Sequence, residues 1–338
     1  MRRTTFAVAG VLALVCAGGA TAAAQDVEHF YRGKVIELHV GFGTGGGNDL
    51  WGRALSRHMP RYIPGNPTMI VKNVPAAGSL VVTNWIAGAA PRDGTAIGMI
   101  ARGIPFEPLF DGKGVQFEPL KLNYLGSPSR DSNMCAVWKD RPFNTAQDMF
   151  EREIVLGSSG SGAESHVFPL ILKNLLGAKV KIVSGYKGSQ EILLAIERGE
   201  LDGLCLGTET VRRTNQYQAG NFRIILQMAT EPDPVLGDLP LVTKFAKTDE
   251  DKAVLDLIFA RVDVGRPFVA PPGVPEDRIK ALRQAFDATM KDPEFKKDVE
   301  KMQLDVTPKT GTELENLIRK AYDTPKPIVK RTADLLGG

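Results

Sequence analysis

Residues 35–53 constrain the fold more than any other stretch. An apolar strand there runs through Gly41-Phe42-Gly43-Thr44-Gly45-Gly46-Gly47 directly into an amphipathic helix. Val35, Ile36, Leu38 and Val40 read as a strand, whereas Leu50, Trp51, Ala54, Leu55 and His58 recur at helical spacing. The loop between them is almost bare backbone. Unpaired N–H groups and the positive end of the helix dipole meet there, which suits the loop to an anionic group such as a carboxylate or phosphate. Thr44, Gly45, Gly46, Gly47 and Asn48 are therefore candidate ligand-binding residues.

The first residues carry an address. Arg2 and Arg3 precede an apolar stretch over residues 6–17 and then the small residues 18–24, the order of a secretory signal peptide cleaved after Ala24. The apolar part is too short to favour a membrane span. A soluble, exported chain is the expectation. Losing Arg2 and Arg3, with no acid, lowers the formal charge from +3 to +1. A balance so near neutral, without basic runs, argues against nucleic acid as a partner. The remaining chain of about 310 residues exceeds what one core usually serves, so two domains are expected.

Cys135 and Cys205 both lie in apolar, strand-like settings. Export permits a disulfide between them, and burial as two separate thiols fits the sequence as well. His29, His39, His58 and His166 are scattered, with no zinc-ligand spacing to a cysteine, so no metal is expected.

Strand and helix signals alternate, which points to α/β architecture with mostly parallel sheets. Strands over 35–40, 69–74 and 95–101 with their helices have the shape of one Rossmann-like half. Residues 105–130, rich in Gly, Pro and charge, read as a crossover. The same grammar then returns, with strands over 134–138, 153–156, 179–183, 201–207 and 222–228. Two of these strands enter glycine-serine loops at 157–162 and 184–189, each followed by a helix. A strand over 264–270 leads back to the first domain, and the helix after Pro275 carries Ile279, Leu282, Phe286 and Met290 on one face. Thr312 to Glu315 reads as the cap of the penultimate helix, and Pro325 and Pro327 separate it from the last. The expected division is a signal peptide (1–24), a discontinuous lobe (25–128 and 262–338) and an inserted lobe (129–261), hinged around a cleft.

Two enzyme readings fit less well. The run from Gly41 to Gly46 matches G-x-G-x-x-G, but the second strand ends in Lys72-Asn73 where a dinucleotide site needs an acid. Ser158, Ser159 and Ser161 crowd a turn near His166, yet none completes the nucleophile elbow G-x-S-x-G. No catalytic residue is assigned, and an exported hydrolase is the third reading. Ser161 also reads as a helix cap, a role compatible with presenting N–H groups. Ser161, Gly162 and Ala163 in one loop, and Gly188 and Ser189 in another, are the donors expected from the inserted lobe. Tyr186, in a glycine-flanked loop, reads as facing the cleft, and Lys187 as solvated. Arg102, just past the third strand, is placed either to meet a second carboxylate or in a surface salt bridge. Trp51 and Trp85 lie on helical faces and are expected in the core.

Several motifs, in order, resemble the extracytoplasmic solute receptors of tripartite tricarboxylate transporters, the Bug family. They are Gly45-Gly46-Gly47-Asn48-Asp49 followed by Arg53-Ala54, Val71-Lys72-Asn73-Val74-Pro75-Ala76-Ala77-Gly78, and Ala89-Ala90-Pro91-Arg92-Asp93-Gly94-Thr95. Further on come Gly160-Ser161-Gly162-Ala163-Glu164-Ser165-His166, Tyr186-Lys187-Gly188-Ser189, Gly199-Glu200-Leu201-Asp202 and Ala270-Pro271-Pro272-Gly273-Val274-Pro275. Two departures stand out: Gly41, Gly43 and Thr44 replace the prolines usual in the first loop, and a tryptophan is absent near residues 261–268. The resemblance implies a type II periplasmic binding protein, with two Rossmann-like lobes joined by crossover strands. It implies a monomer without cofactor that captures a small carboxylate and hands it to integral-membrane transporter subunits. It also adds Asp49 and His166 to the pocket. A ligand-sensing receptor feeding a membrane signalling protein is the runner-up.

Overall fold

Two mixed sheets carry the structure, a computed structural model that describes residues 26–337 apart from 111, 131, 161, 162 and 234. The strands in chain order are β1 (Val35–Val40), β2 (Thr68–Asn73), β3 (Ala96–Met99), β4 (Asn123–Ser127), β5 (Asn133–Trp138), β6 (Ile154–Ser158), β7 (Val180–Ser184), β8 (Gly203–Gly207), β9 (Phe222–Gln227), β10 (Phe268–Ala270) and β11 (Lys309–Thr310). The first sheet has the order β11-β4-β10-β3-β1-β2 and the second β7-β6-β8-β5-β9. The signal-peptide reading of residues 1–24 lies outside the described residues.

The glycine loop is positioned by β1. Ile36, Leu38 and Val40 are fully buried on one face, and β1 pairs parallel with both β2 and β3. Trp51, also fully buried, anchors the following helix Gly47–His58 beneath the sheet. Trp85 is only half-buried and stacks on His39 with ring centroids 4.0 Å apart, at the rim of the core rather than inside it.

The expectation of mostly parallel sheets is corrected. β10 runs antiparallel to β3 and β4, β11 antiparallel to β4, and β5 antiparallel to β8 and β9. Strands that enter a sheet from the other lobe need no crossover helix of their own, so nothing forces them parallel. The segment read as a strand over 264–270 is extended only at Phe268–Ala270. Before it lies the helix Asp249–Val264, ended by Gly265 at φ +67°. Within the supposed crossover 105–130, β4 takes a place in the first sheet, and a 3-10 turn spans Ile104–Phe110. The helix Gly311–Tyr322 is capped by Thr310 with Glu313, two residues earlier than expected.

Cys135 and Cys205 face each other on β5 and β8 and form a disulfide, which resolves the open alternative. One buried apolar cluster runs through both lobes. It links Ile86 and Ile100 beside the first sheet to Leu156 and Phe168 beside the second, through Phe259, Ile318 and Ala333. Phe168 and Phe259 pack with ring centroids 5.2 Å apart, so the helix Asp249–Val264 joins the two halves.

Candidate functional site

Three helices from the two lobes begin at one cavity of about 300 Å³. Gly46, Gly47 and Asn48 open the helix Gly47–His58; Ala163, Glu164 and Ser165 open Glu164–Asn174; Gly188 to Glu191 open Ser189–Glu197. The first amides of a helix have no acceptor within it, so each helix offers N–H groups and a partial positive charge. The lobes touch at this point: a Cβ on Gly46 would lie 4.0 Å from Ser189 Oγ, and one on Gly160 would lie 3.8 Å from the Gly78 nitrogen. Phe42, Ala101 and Leu206 supply an apolar wall.

Of the residues singled out from the sequence, the structure brings Thr44, Gly46, Gly47, Asn48, Arg102, Ala163, Gly188 and Ser189 to the cavity. Ser161 and Gly162 lie outside the described residues. Asp49 does not face the cavity. Its Oδ2 accepts from the Gly45 amide at 2.9 Å and from Arg53 Nε at 2.9 Å, and its Oδ1 accepts from Asn73 Nδ2 at 2.8 Å. Asn73 Nδ2 also donates to the Phe42 carbonyl at 3.0 Å. Asp49 and Gly45 are thus parts of a brace that sets the shape of the loop, because a glycine-rich segment has no side chains with which to hold itself. Burial pushes the Asp49 carboxyl up. The Arg53, Gly45 and Asn73 hydrogen bonds outweigh that and hold it below its ordinary value.

His166 turns away from the cavity as well, with Nδ1 3.1 Å from Ser158 Oγ, and burial pushes its imidazole below the ordinary value. Ser158 is fully buried, and no acid hydrogen-bonds His166 among the described residues. Tyr186 packs against the apolar cluster under the second sheet instead of reaching the cleft. Lys187, read as solvated, lines the cavity, and its amide donates to Glu191 Oε2 at 2.8 Å. No group of three or more His, Cys, Asp or Glu among the described residues is placed to hold a metal ion.

The salt bridge read for Arg102 exists but is buried, not on the surface. Together with a second one at Arg266 that the sequence did not mark, it crosses the cleft. Arg102 at the end of β3 forks onto both oxygens of Glu164, with Nη2 to Oε2 at 2.9 Å, and reaches Asn133 Oδ1 at 2.9 Å. Arg266 contacts Asn48 Oδ1 at 2.8 Å and Glu209 Oε2 at 3.6 Å. Burial pushes the Glu164 carboxyl up, but the arginines around it, Arg102 foremost, more than offset this and keep it ionised. Nothing local in the sequence marks Arg266 and Glu209 as partners.

Two α/β lobes with helix N-termini converging on a shared cleft define a periplasmic binding protein of the two-lobed type. Known proteins agree. The family model described as tripartite tricarboxylate transporter family receptor matches residues 59–333, and the chain belongs to that family. A UPF0065 protein of Bordetella pertussis is 22% identical over 306 residues, covering 89% of this chain and 90% of that protein. The periplasmic binding protein BugD superposes with a TM-score of 0.70 at 22% identity, covering 90% of this chain and 97% of that one. MatC from Rhodopseudomonas palustris, solved with bound malate, gives 0.67 at 17% identity over 90% of this chain and 99% of that one.

Proposed function

We propose that the cleft captures a small organic acid through its carboxylate and that the loaded receptor delivers it to membrane subunits of a tripartite tricarboxylate-type transporter. The observation that carries this reading is the convergence of three helix N-termini from two lobes on one cavity. Backbone amides keep their geometry when water leaves and need no buried counter-charge. Each hydrogen bond to a charged group contributes about 1.5–3 kcal/mol, and micromolar affinity needs about 8 kcal/mol net. Several donors from both lobes must therefore act together. The malate-bound neighbour supports a carboxylate as cargo.

On this reading residues 25–128 and 262–338 form one lobe and 129–261 the other, and residues 1–24 direct export with cleavage after Ala24. The receptor works as a monomer, without cofactor or catalytic residues. A thermal-shift and calorimetric screen of mono-, di- and tricarboxylates, aromatic acids and acidic amino acids tests it. At least one acid is expected to stabilise the protein and bind with one-to-one stoichiometry. A flat response across the whole panel overturns the reading.

A further inference from the structure

The cavity grades from a closed floor to an open mouth. Gly47, Arg102 and Ala163 on its lining are buried, whereas Lys187, Gln190 and Glu191 are exposed. The amides that open the helices Gly47–His58 and Glu164–Asn174 therefore lie toward the floor, where little water screens a bound carboxylate. Whatever the acid carries at its other end lies toward the mouth.

Positive charge is not committed evenly along that path. Among the described residues three cations line the cavity, Arg102, Arg266 and Lys187. The two buried ones are engaged: Arg102 forks onto Glu164, and Arg266 reaches Asn48 and Glu209. The Lys187 ammonium makes no ion pair or hydrogen bond among the described residues. Glu191 takes only the main-chain N–H of Lys187, at 2.8 Å, which keeps that carboxylate at the start of its own helix, where the dipole favours it. An exposed ammonium on a four-carbon stem is a movable point charge, and it reads the sign of a group rather than its shape.

We propose that Lys187 is a specificity-determining residue that pairs with a second anionic group at the far end of the captured acid. The cleft then prefers acids with two anionic groups to acids with one. A point charge does not demand the flat, two-oxygen geometry that an arginine fork does, so a sulfonate serves at that end as well as a carboxylate. The loop itself is held without the Lys187 side chain, by Tyr186 packed in the apolar cluster and by the bond from the residue 187 amide to Glu191. Replacing Lys187 therefore removes the charge and leaves the loop in place.

The inference rests on carboxylate capture, so its test uses sets of acids that share one carboxylate and differ at the other end. The sets are propanoate, succinate and 3-sulfopropanoate; butanoate, glutarate and 4-sulfobutanoate; and benzoate, terephthalate and 4-sulfobenzoate. Calorimetry on the wild-type receptor at neutral pH is expected to show, in each set it accepts, both doubly charged acids binding about fivefold or more tighter than the singly charged one. In Lys187→Gln that advantage is expected to shrink by about the same factor, and in Lys187→Arg to persist. A wild-type receptor that binds the singly charged member of each set as tightly as the others overturns the inference while leaving carboxylate capture standing. So does an undiminished advantage in folded Lys187→Gln, or an equal loss for singly and doubly charged acids, which would put Lys187 on the first carboxylate. A dicarboxylate strongly preferred to its sulfonate counterpart overturns recognition by charge alone. No binding by any member of any set, together with a flat response to the broader panel, sinks carboxylate capture and this inference with it.

Discussion

Single amides and single carboxylates decide what this cleft can hold. Ser189 is the first residue of its helix, where proline is tolerated because the N–H has no partner inside the helix. Ser189→Pro, measured against Ser189→Ala so that the lost hydroxyl is accounted for, therefore removes one main-chain donor and keeps the fold. Affinity for the captured acid should fall about tenfold, as expected for one lost hydrogen bond to a charged group, with the melting temperature nearly unchanged. Titration calorimetry against circular-dichroism melting checks both halves. Asp49 works differently, through the loop. Its carboxyl is held below the ordinary value, so its stabilising contribution is fully present above that value and is lost as pH falls through the lower, folded-state one. Asp49→Asn should cost about 1–3 kcal/mol at neutral pH, and the gap to wild type should close progressively below about pH 4. Urea melts at several pH values measure it. This brace was hidden in the sequence: Asp49 stood in view as a first-turn acid, but its partner Asn73 lies a whole β-α unit away.

Whole elements were legible where a periodicity changed cleanly. The switch from period two to period 3.6 across the glycine loop located β1 and its helix within a residue or two. The helix Asp249–Val264 was legible too, but was passed over: Asp249, Lys252, Asp256 and Asp263 recur at helical spacing opposite the buried Val254, Leu255, Ile258 and Val262. The segment after it was misread because a run of apolar residues does not announce where a helix stops. Gly265 makes that stop. Its positive φ, and a Cβ position that would strike the Ser129 carbonyl and come within 2.5 Å of Ser127 Oγ, leave room for glycine alone. Gly265→Ala should lower stability by about 2–4 kcal/mol, read as a shift in the urea midpoint with unchanged slope. It should also weaken ligand binding, because the next residue, Arg266, is one wall of the cavity.

At the scale of the molecule, the two-lobed plan followed from the repeated strand-loop-helix grammar, whereas the contacts that join the lobes did not. Arg102 to Glu164, Arg266 to Glu209 and the apolar cluster through Phe168 and Phe259 all pair residues distant in the chain, and no local pattern marks such partners. The disulfide was undecided for the same reason, since only the pairing of β5 with β8 sets Cys135 opposite Cys205. Because one apolar cluster serves both halves, they are expected to melt together. Differential scanning calorimetry should give a single peak whose calorimetric and van't Hoff enthalpies agree; two resolved peaks would show the halves to be independent.

The choice of amides to meet the cargo has a consequence for the acidity at which uptake works. A main-chain N–H does not gain or lose a proton under conditions a cell survives, so this gripping surface has no titration curve of its own. The pH limit on loading is then written into the passenger. Capture should fade where the free acid becomes protonated, and two acids of unequal strength should drop off the same receptor at different points on the scale.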